Sequence, residues 1–159
     1  MIPALSEKDV KVVAVGIGDA VSAKTFAEKI DFPAELLFAD ESDNTDAYAA
    51  AGTRNTKRDP NGKQIFEGIE SMWSSNTNDA LAKRGKADLD AITGSIFKPG
   101  PYVPLMPKGN GLFDPKAIEK TMVQGGCFVY DGAEEIYAHY DASSGVHADL
   151  DEVRACAHH

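Results

Sequence analysis

The sequence predicts an α/β fold: a mixed sheet of about four strands flanked by helices, with a long irregular insertion. Three observations carry this. Residues 11–52 alternate short apolar runs with helical periodicity, residues 124–140 hold two apolar runs about a turn, and the stretch between them is crowded with proline and glycine. With 159 residues, 43% hydrophobic and 26% charged, the chain reads as one domain, 1–159, large enough for a core without disulfide staples.

Lys11-Val12-Val13-Ala14-Val15-Gly16-Ile17 is a nearly continuous apolar run, the pattern of a strand covered on both faces. Gly18-Asp19 ends it. Ala23, Phe26, Ala27 and Ile30 then form one apolar helical stripe, with Asp19 or Ser22 as the cap and Phe32-Pro33 as the stop. Glu35-Leu36-Leu37-Phe38-Ala39 predicts a second buried strand, and Asn44 caps a short helix closed by Gly52. Strand–helix–strand order implies parallel pairing.

The insertion spans 53–123. Helical candidates are Phe66–Trp73 and Asn76–Arg84. Between Lys98 and Gly111, four prolines and three glycines forbid a regular helix or a central strand. Phe97, Tyr102, Val103, Leu105 and Met106 in and beside this segment are candidates for contact with a partner, or for wrapping the domain itself. The chain then becomes regular. Gly126–Tyr130 and Glu135–Tyr140 flank Asp131-Gly132-Ala133-Glu134, a hairpin signal, and Asp149 caps a last helix with Leu150, Val153 and Ala157 on its stripe.

Composition excludes several function classes. Sixteen Lys+Arg against 25 Asp+Glu leave a net charge of −9, unsuited to nucleic acid or anionic lipid and steering toward a partner protein with a basic surface. No apolar run reaches the ~18 residues of a transmembrane segment, and Met1–Lys8 lacks the pattern of a secretory signal. Two cysteines, Cys127 and Cys156, make no disulfide framework, and their spacing to histidine suits no zinc site, so no metal and no cofactor are expected.

Gly16-Ile17-Gly18, followed by Asp40 at the end of the next strand, approaches a dinucleotide fingerprint. Val21 stands where the third glycine belongs and Asp19 would oppose the phosphates, so a tight strand-to-helix turn is the better reading. Cys127, in a predicted central strand, reads as a buried, unreactive thiol; Cys156 sits where a helix C-terminus disfavours a thiolate. His139 reads as a surface residue sharing a face with Tyr137 and Glu135. His147 orders the loop after Ser143, and Asp40-Glu41-Ser42-Asp43 reads as a solvated turn.

Several of these segments resemble a known family. Val12–Gly18, Phe32-Pro33, Leu37-Phe38-Ala39-Asp40, Gln124-Gly125-Gly126-Cys127-Phe128-Val129-Tyr130 and Ile136-Tyr137-Ala138 are similar to the peroxiredoxin-like 2 group of the AhpC/TSA, thioredoxin-like proteins. Gly145–Val153 resembles the close of the plant-type, plastid-targeted members. The resemblance implies a thioredoxin-like fold. It also implies a strand and a helix, ahead of the segment matching Val12, that carry the reactive cysteine; Met1–Asp9 hold no cysteine, and neither Cys127 nor Cys156 matches that position. The expectation is a truncated thioredoxin-like domain with no catalytic residue, in which Gln124, Gly125 and Gly126 are the remnant of an active-face loop. Its function would be that of a binding or assembly subunit, in the chloroplast stroma or at the stromal membrane surface, with a photosynthetic membrane complex as host. The alternative is an antioxidant thiol oxidoreductase whose catalytic cysteine segment lies outside this chain.

Overall fold

The computed structural model describes residues 2–68, 75–84, 115–143 and 146–157. Along them run α1 (Ile2–Ser6), β1 (Ala14–Ile17), α2 (Ala20–Ile30), a 3-10 turn (Ala34–Leu36), β2 (Leu37–Asp40), α3 (Asp46–Ala50), α4 (Ser75–Arg84), α5 (Pro115–Met122), β3 (Gly126–Asp131), β4 (Glu134–Tyr140) and α6 (Leu150–Cys156). β1 and β2 pair in parallel from Ala14↔Leu37 to Ile17↔Asp40. β3 and β4 pair antiparallel from Gly126↔Tyr140 to Asp131↔Glu134, with a bulge that leaves Ile136 as the extra residue. Four strands, parallel and antiparallel, with helices against them give the expected mixed α/β, thioredoxin-like fold; among the described residues they form two two-stranded ladders.

Local signals fix the helix ends. Asp19 accepts from the Ser22 amide (2.8 Å) and hydroxyl (2.6 Å), capping α2, and Asp31 closes it in the left-handed region at φ 53°. Asp149 caps α6 by accepting from the Asp151 and Glu152 amides. The start of α3 differs from the sequence reading. Thr45 (φ 55°), not Asn44, is its cap position, and the first amides go to Ser42 Oγ (Asp46 N, 2.7 Å) and Asp40 Oδ2 (Ala47 N, 2.9 Å).

Coverage of the sheets is one-sided. α2 packs Ala20, Ala23 and Lys24 over Ala34, Leu37 and Ala39, around a shallow hollow of 190 Å³, below the ~300 Å³ at which small-molecule sites begin. On the opposite side Val13 (53%), Val15 (42%) and Phe38 (53%) are exposed, so among the described residues nothing covers that face of the two strands. An apolar run specifies a strand; it does not specify what lies over it. Leu150 also leaves its expected stripe and is exposed, while Val153 anchors α6 inward.

The 53–68 segment is stitched to 119–124 by polar contacts. Asn55 Nδ2 donates to the Met122 carbonyl (2.8 Å), Asn55 Oδ1 accepts from the Glu67 amide (2.8 Å), and Gln64 Nε2 donates to the Asn55 (2.5 Å) and Glu119 (3.0 Å) carbonyls. Arg58 Nη1 meets Glu119 Oε2 at 2.5 Å. Arg54 reaches the Glu67 and Ala142 carbonyls, tying the same segment to the exit of β4. The expected helix from Phe66 does not form over Phe66–Gly68, where Gly68 adopts φ 100°; its remainder lies outside the described residues.

Asp40 is buried rather than part of a solvated turn. Burial alone would raise its pKa, but acceptance from the Ser42 hydroxyl and from the Ser42 and Ala47 amides outweighs it and holds the carboxyl below its ordinary 3.8. A pKa depressed on folding contributes stability that is complete above the unfolded value and is lost as pH falls through the folded one. Asp40→Asn should therefore flatten the acid limb of a plot of urea midpoint against pH, leaving a smaller difference between pH 5 and pH 3 than in the parent.

Candidate functional site

A polar centre lies at the end of β4. Asp141 follows β4 and is buried, its side chain 8% exposed. Its amide donates to the Gly125 carbonyl at 3.1 Å. Its Oδ2 lies 2.7 Å from His147 Nδ1, and its Oδ1 lies 3.5 Å from His139 Nε2, which also faces the Val146 carbonyl at 3.4 Å. An ionised carboxylate only accepts, so it selects the His147 tautomer with the proton on Nδ1. His139 is half-buried here rather than a surface residue, and the bulge turns Glu135 to the other side of the hairpin. His147 grips Asp141; Ser144 and Gly145, in the loop it is expected to order, lie outside the described residues.

Tyr48 of α3 reaches the same centre. Its hydroxyl donates to the Val15 carbonyl at 2.7 Å. Ladder alternation turns that carbonyl away from β2, because Gly18 N bonds Asp40 O on the paired side. Burial first, then the charges of Asp40 and Asp141, raise the Tyr48 pKa and keep the phenol neutral as a donor.

The Gln124-Gly125-Gly126 loop is explained by this centre. Gln124 is buried, with its amide nitrogen on the Arg54 carbonyl (3.2 Å) and Nε2 on Met122 O (3.0 Å). A Cβ on Gly125 would stand 3.0 Å from Asp141 Oδ2, and one on Gly126 would stand 2.7 Å from the His139 carbonyl oxygen. Both glycines let the backbone approach β4 and its carboxylate.

Cys127 lies across the ladder from His139. Burial, and then the Asp141 charge, push its thiol above the ordinary 9.0. At neutral pH it is a protonated thiol and a poor nucleophile. Cys156 ends α6, and both cysteines are unpaired. Phe97, Tyr102, Val103, Leu105 and Met106, the sequence candidates for partner contact, lie outside the described residues. Among the described residues no three His, Cys, Asp or Glu side chains stand as metal ligands, and no helix is long and apolar enough to cross a membrane.

The fingerprint-like glycines serve the turn. Asp19 and Glu41 Oε1, which accepts from Ala20 N at 2.8 Å, occupy the start of α2 where phosphate would bind, and Asp40 is committed to α3. Asp141 and Tyr48 are site residues that the sequence reading does not single out. The signal for Asp141 is its place two residues after His139, on the same side of a strand; Tyr48 has no local signal, since its contact crosses 33 positions.

Searches of curated proteins and of solved structures return no match. The model of the AhpC/TSA antioxidant enzyme family matches residues 1–143. That match covers most of the chain, including both ladders, Asp141 and His139 but not His147, and agrees with the mixed α/β architecture. The chain belongs to the AhpC/TSA antioxidant enzyme family.

Proposed function

We propose that this chain works by binding, as a redox-inactive assembly subunit of thioredoxin-like fold, and runs no thiol chemistry on its own cysteines. The observation that carries the reading is the state of Cys127: burial and a neighbouring carboxylate raise its pKa, the reverse of what an attacking sulfur needs. The charge of −9 supports a partner with a basic surface. Resemblance of Gly145–Val153 to plant-type members supports a place in the plastid, at a photosynthetic membrane complex. The proline- and glycine-rich segment with Tyr102, Leu105 and Met106 is a further candidate for contact with that complex.

The test is hydroperoxide consumption with dithiothreitol as reductant, on the chain and on Cys127→Ser and Cys156→Ser. Expected is consumption no faster than by free cysteine, unchanged in both variants. Turnover at enzymic speed, lost with either serine, would overturn the proposal. The family match favours a second reading, an antioxidant thiol oxidoreductase whose catalytic cysteine lies outside this chain; peroxidase activity of a longer natural form with a Cys-x-x-Cys ahead of Met1 would support it.

A further inference from the structure

The β3–β4 hairpin has two unlike faces. Strand pairing puts Cys127, Val129, Tyr137 and His139 on one of them. α6 covers this side: Tyr137 feels the charges of Glu152, Cys156 and Asp149, and Val153 is buried there. Pairing puts Phe128, Tyr130, Ala138 and Tyr140 on the other face, and the bulge adds Ile136 and Glu135 to it.

This outer face is aromatic and open. Tyr130 (55%), Tyr140 (43%) and Ile136 (39%) are exposed. The Phe128 and Tyr140 rings meet edge to face, centroids 5.2 Å apart and planes at 72°, so the two rings are held against each other. Tyr130 donates its hydroxyl to Glu135 Oε2 at 3.2 Å, which places a carboxylate at the rim of a ring. Asp131 and Glu134 stand at the hairpin tip. Asp131, Glu134 and Glu135 thus give this face and its tip three carboxylates, and the hairpin, 126–140, carries no lysine or arginine.

The geometry points to the outer hairpin face as the docking site for an arginine-bearing segment of a partner protein. The inference rests on the binding-subunit reading and names the surface and the chemistry it would use. A guanidinium is the group that meets both features: its plane stacks on a tyrosine or phenylalanine ring while its fork of donors pairs with a carboxylate. Lysine offers a point charge and no plane. Apolar neighbours of the arginine would settle on Ile136 and Phe128, burying surface that is now wet. A second copy of this chain would bring Asp131, Glu134 and Glu135 against like carboxylates, and nucleic acid or anionic lipid would bring phosphates against them; charge disfavours all three at this face.

The test uses the full chain, isotope-labelled for NMR, and a short peptide of alternating arginine and leucine as probe, with lysine and glutamate versions beside it. Expected are amide shifts concentrated on β3 and β4, and tighter binding of the arginine peptide than of the lysine one. Tyr130→Ala and Ile136→Asp should each weaken binding by at least about tenfold. Phe38→Asp, on the exposed side of the other ladder, should leave it unchanged. Near-ultraviolet circular dichroism and urea midpoints establish that each variant is folded. Shifts located elsewhere, parent-like binding by both hairpin variants, equal binding of the glutamate peptide, or self-association through these residues would each overturn the inference. A chain that consumes hydroperoxide yet binds the arginine peptide here would defeat the functional proposal alone; an inactive chain that binds through another face would defeat this one alone.

Discussion

Gly126→Ala should lower stability by about 2–3 kcal/mol, a fall of roughly 4–12 °C in unfolding midpoint for a chain of this size. The added methyl would stand 2.7 Å from the His139 carbonyl oxygen and 2.9 Å from Phe128 Cζ. The ring can turn, at the cost of its contact with Tyr140. The carbonyl cannot, because it belongs to the backbone of β4 beside the Gly126↔Tyr140 pair. Relief therefore requires opening the end of the ladder, next to Asp141 and its histidines. Gly16→Ala supplies the control: it also sits in a strand, but nothing lies within 4 Å of its added Cβ. That variant should stay within about 0.5 kcal/mol of the parent. Thermal and urea unfolding of the pair measure the difference, and equal midpoints would contradict the close approach at Gly126.

Asn55→Ala should cost about 2–4 kcal/mol. Asn55 is fully buried and left-handed, at φ 64°. Its side chain joins the Met122 carbonyl to the Glu67 amide, so alanine strands the Glu67 donor, leaves the Met122 carbonyl to Gln124 Nε2 alone, and adds strain that asparagine tolerates better. Asn55→Gly separates the two causes. It relieves the backbone strain yet restores neither hydrogen bond, so it should recover only about 1 kcal/mol of the loss. Hydrogen exchange should quicken at 64–67 and 119–124 together in both variants. A glycine variant as stable as the parent would show that conformation, not bonding, holds the segment.

What the sequence made legible is what is local. Asp19 and Asp149 cap helices a few residues away, and Asp131-Gly132-Ala133-Glu134 turns one strand onto its neighbour, so α2, α6 and the hairpin follow from short-range rules. Pro115, at the first position of α5, is a local start signal that the sequence reading does not use. Other features had no such trace. The one-sided cover of β1 and β2 depends on what packs across them, and a run of valines reads the same either way. The 53–68 stitching depends on side-chain-to-backbone bonds across as many as 88 positions, which obey no periodicity. Of the candidate site, Gln124-Gly125-Gly126 stands out in the sequence through its resemblance to an active-face loop, while the group its glycines approach, the Asp141 carboxylate, lies beyond another strand. The bulge moves Glu135 off the face that His139 shares with Tyr137, and what buries His139 there, α6 and the residues after β4, leaves no mark in the alternation.

The interior described above is unusual in what it is made of. Among the described residues, Asn55, Thr45 and Ser143 are the largest fully enclosed side chains, and Gln64, Gln124, Asp40 and Asp141 are also buried, whereas the buried apolar positions Leu5, Ala23, Ala27, Val123 and Val153 are mostly small. Hydration of oily surface raises the heat capacity of an unfolded chain, and hydration of amide and hydroxyl surface lowers it. Calorimetry of this protein should accordingly give a shallow stability curve, one that changes slowly between cold and warm conditions. Such a molecule would hold its shape over a broad temperature range without ever being very hard to melt.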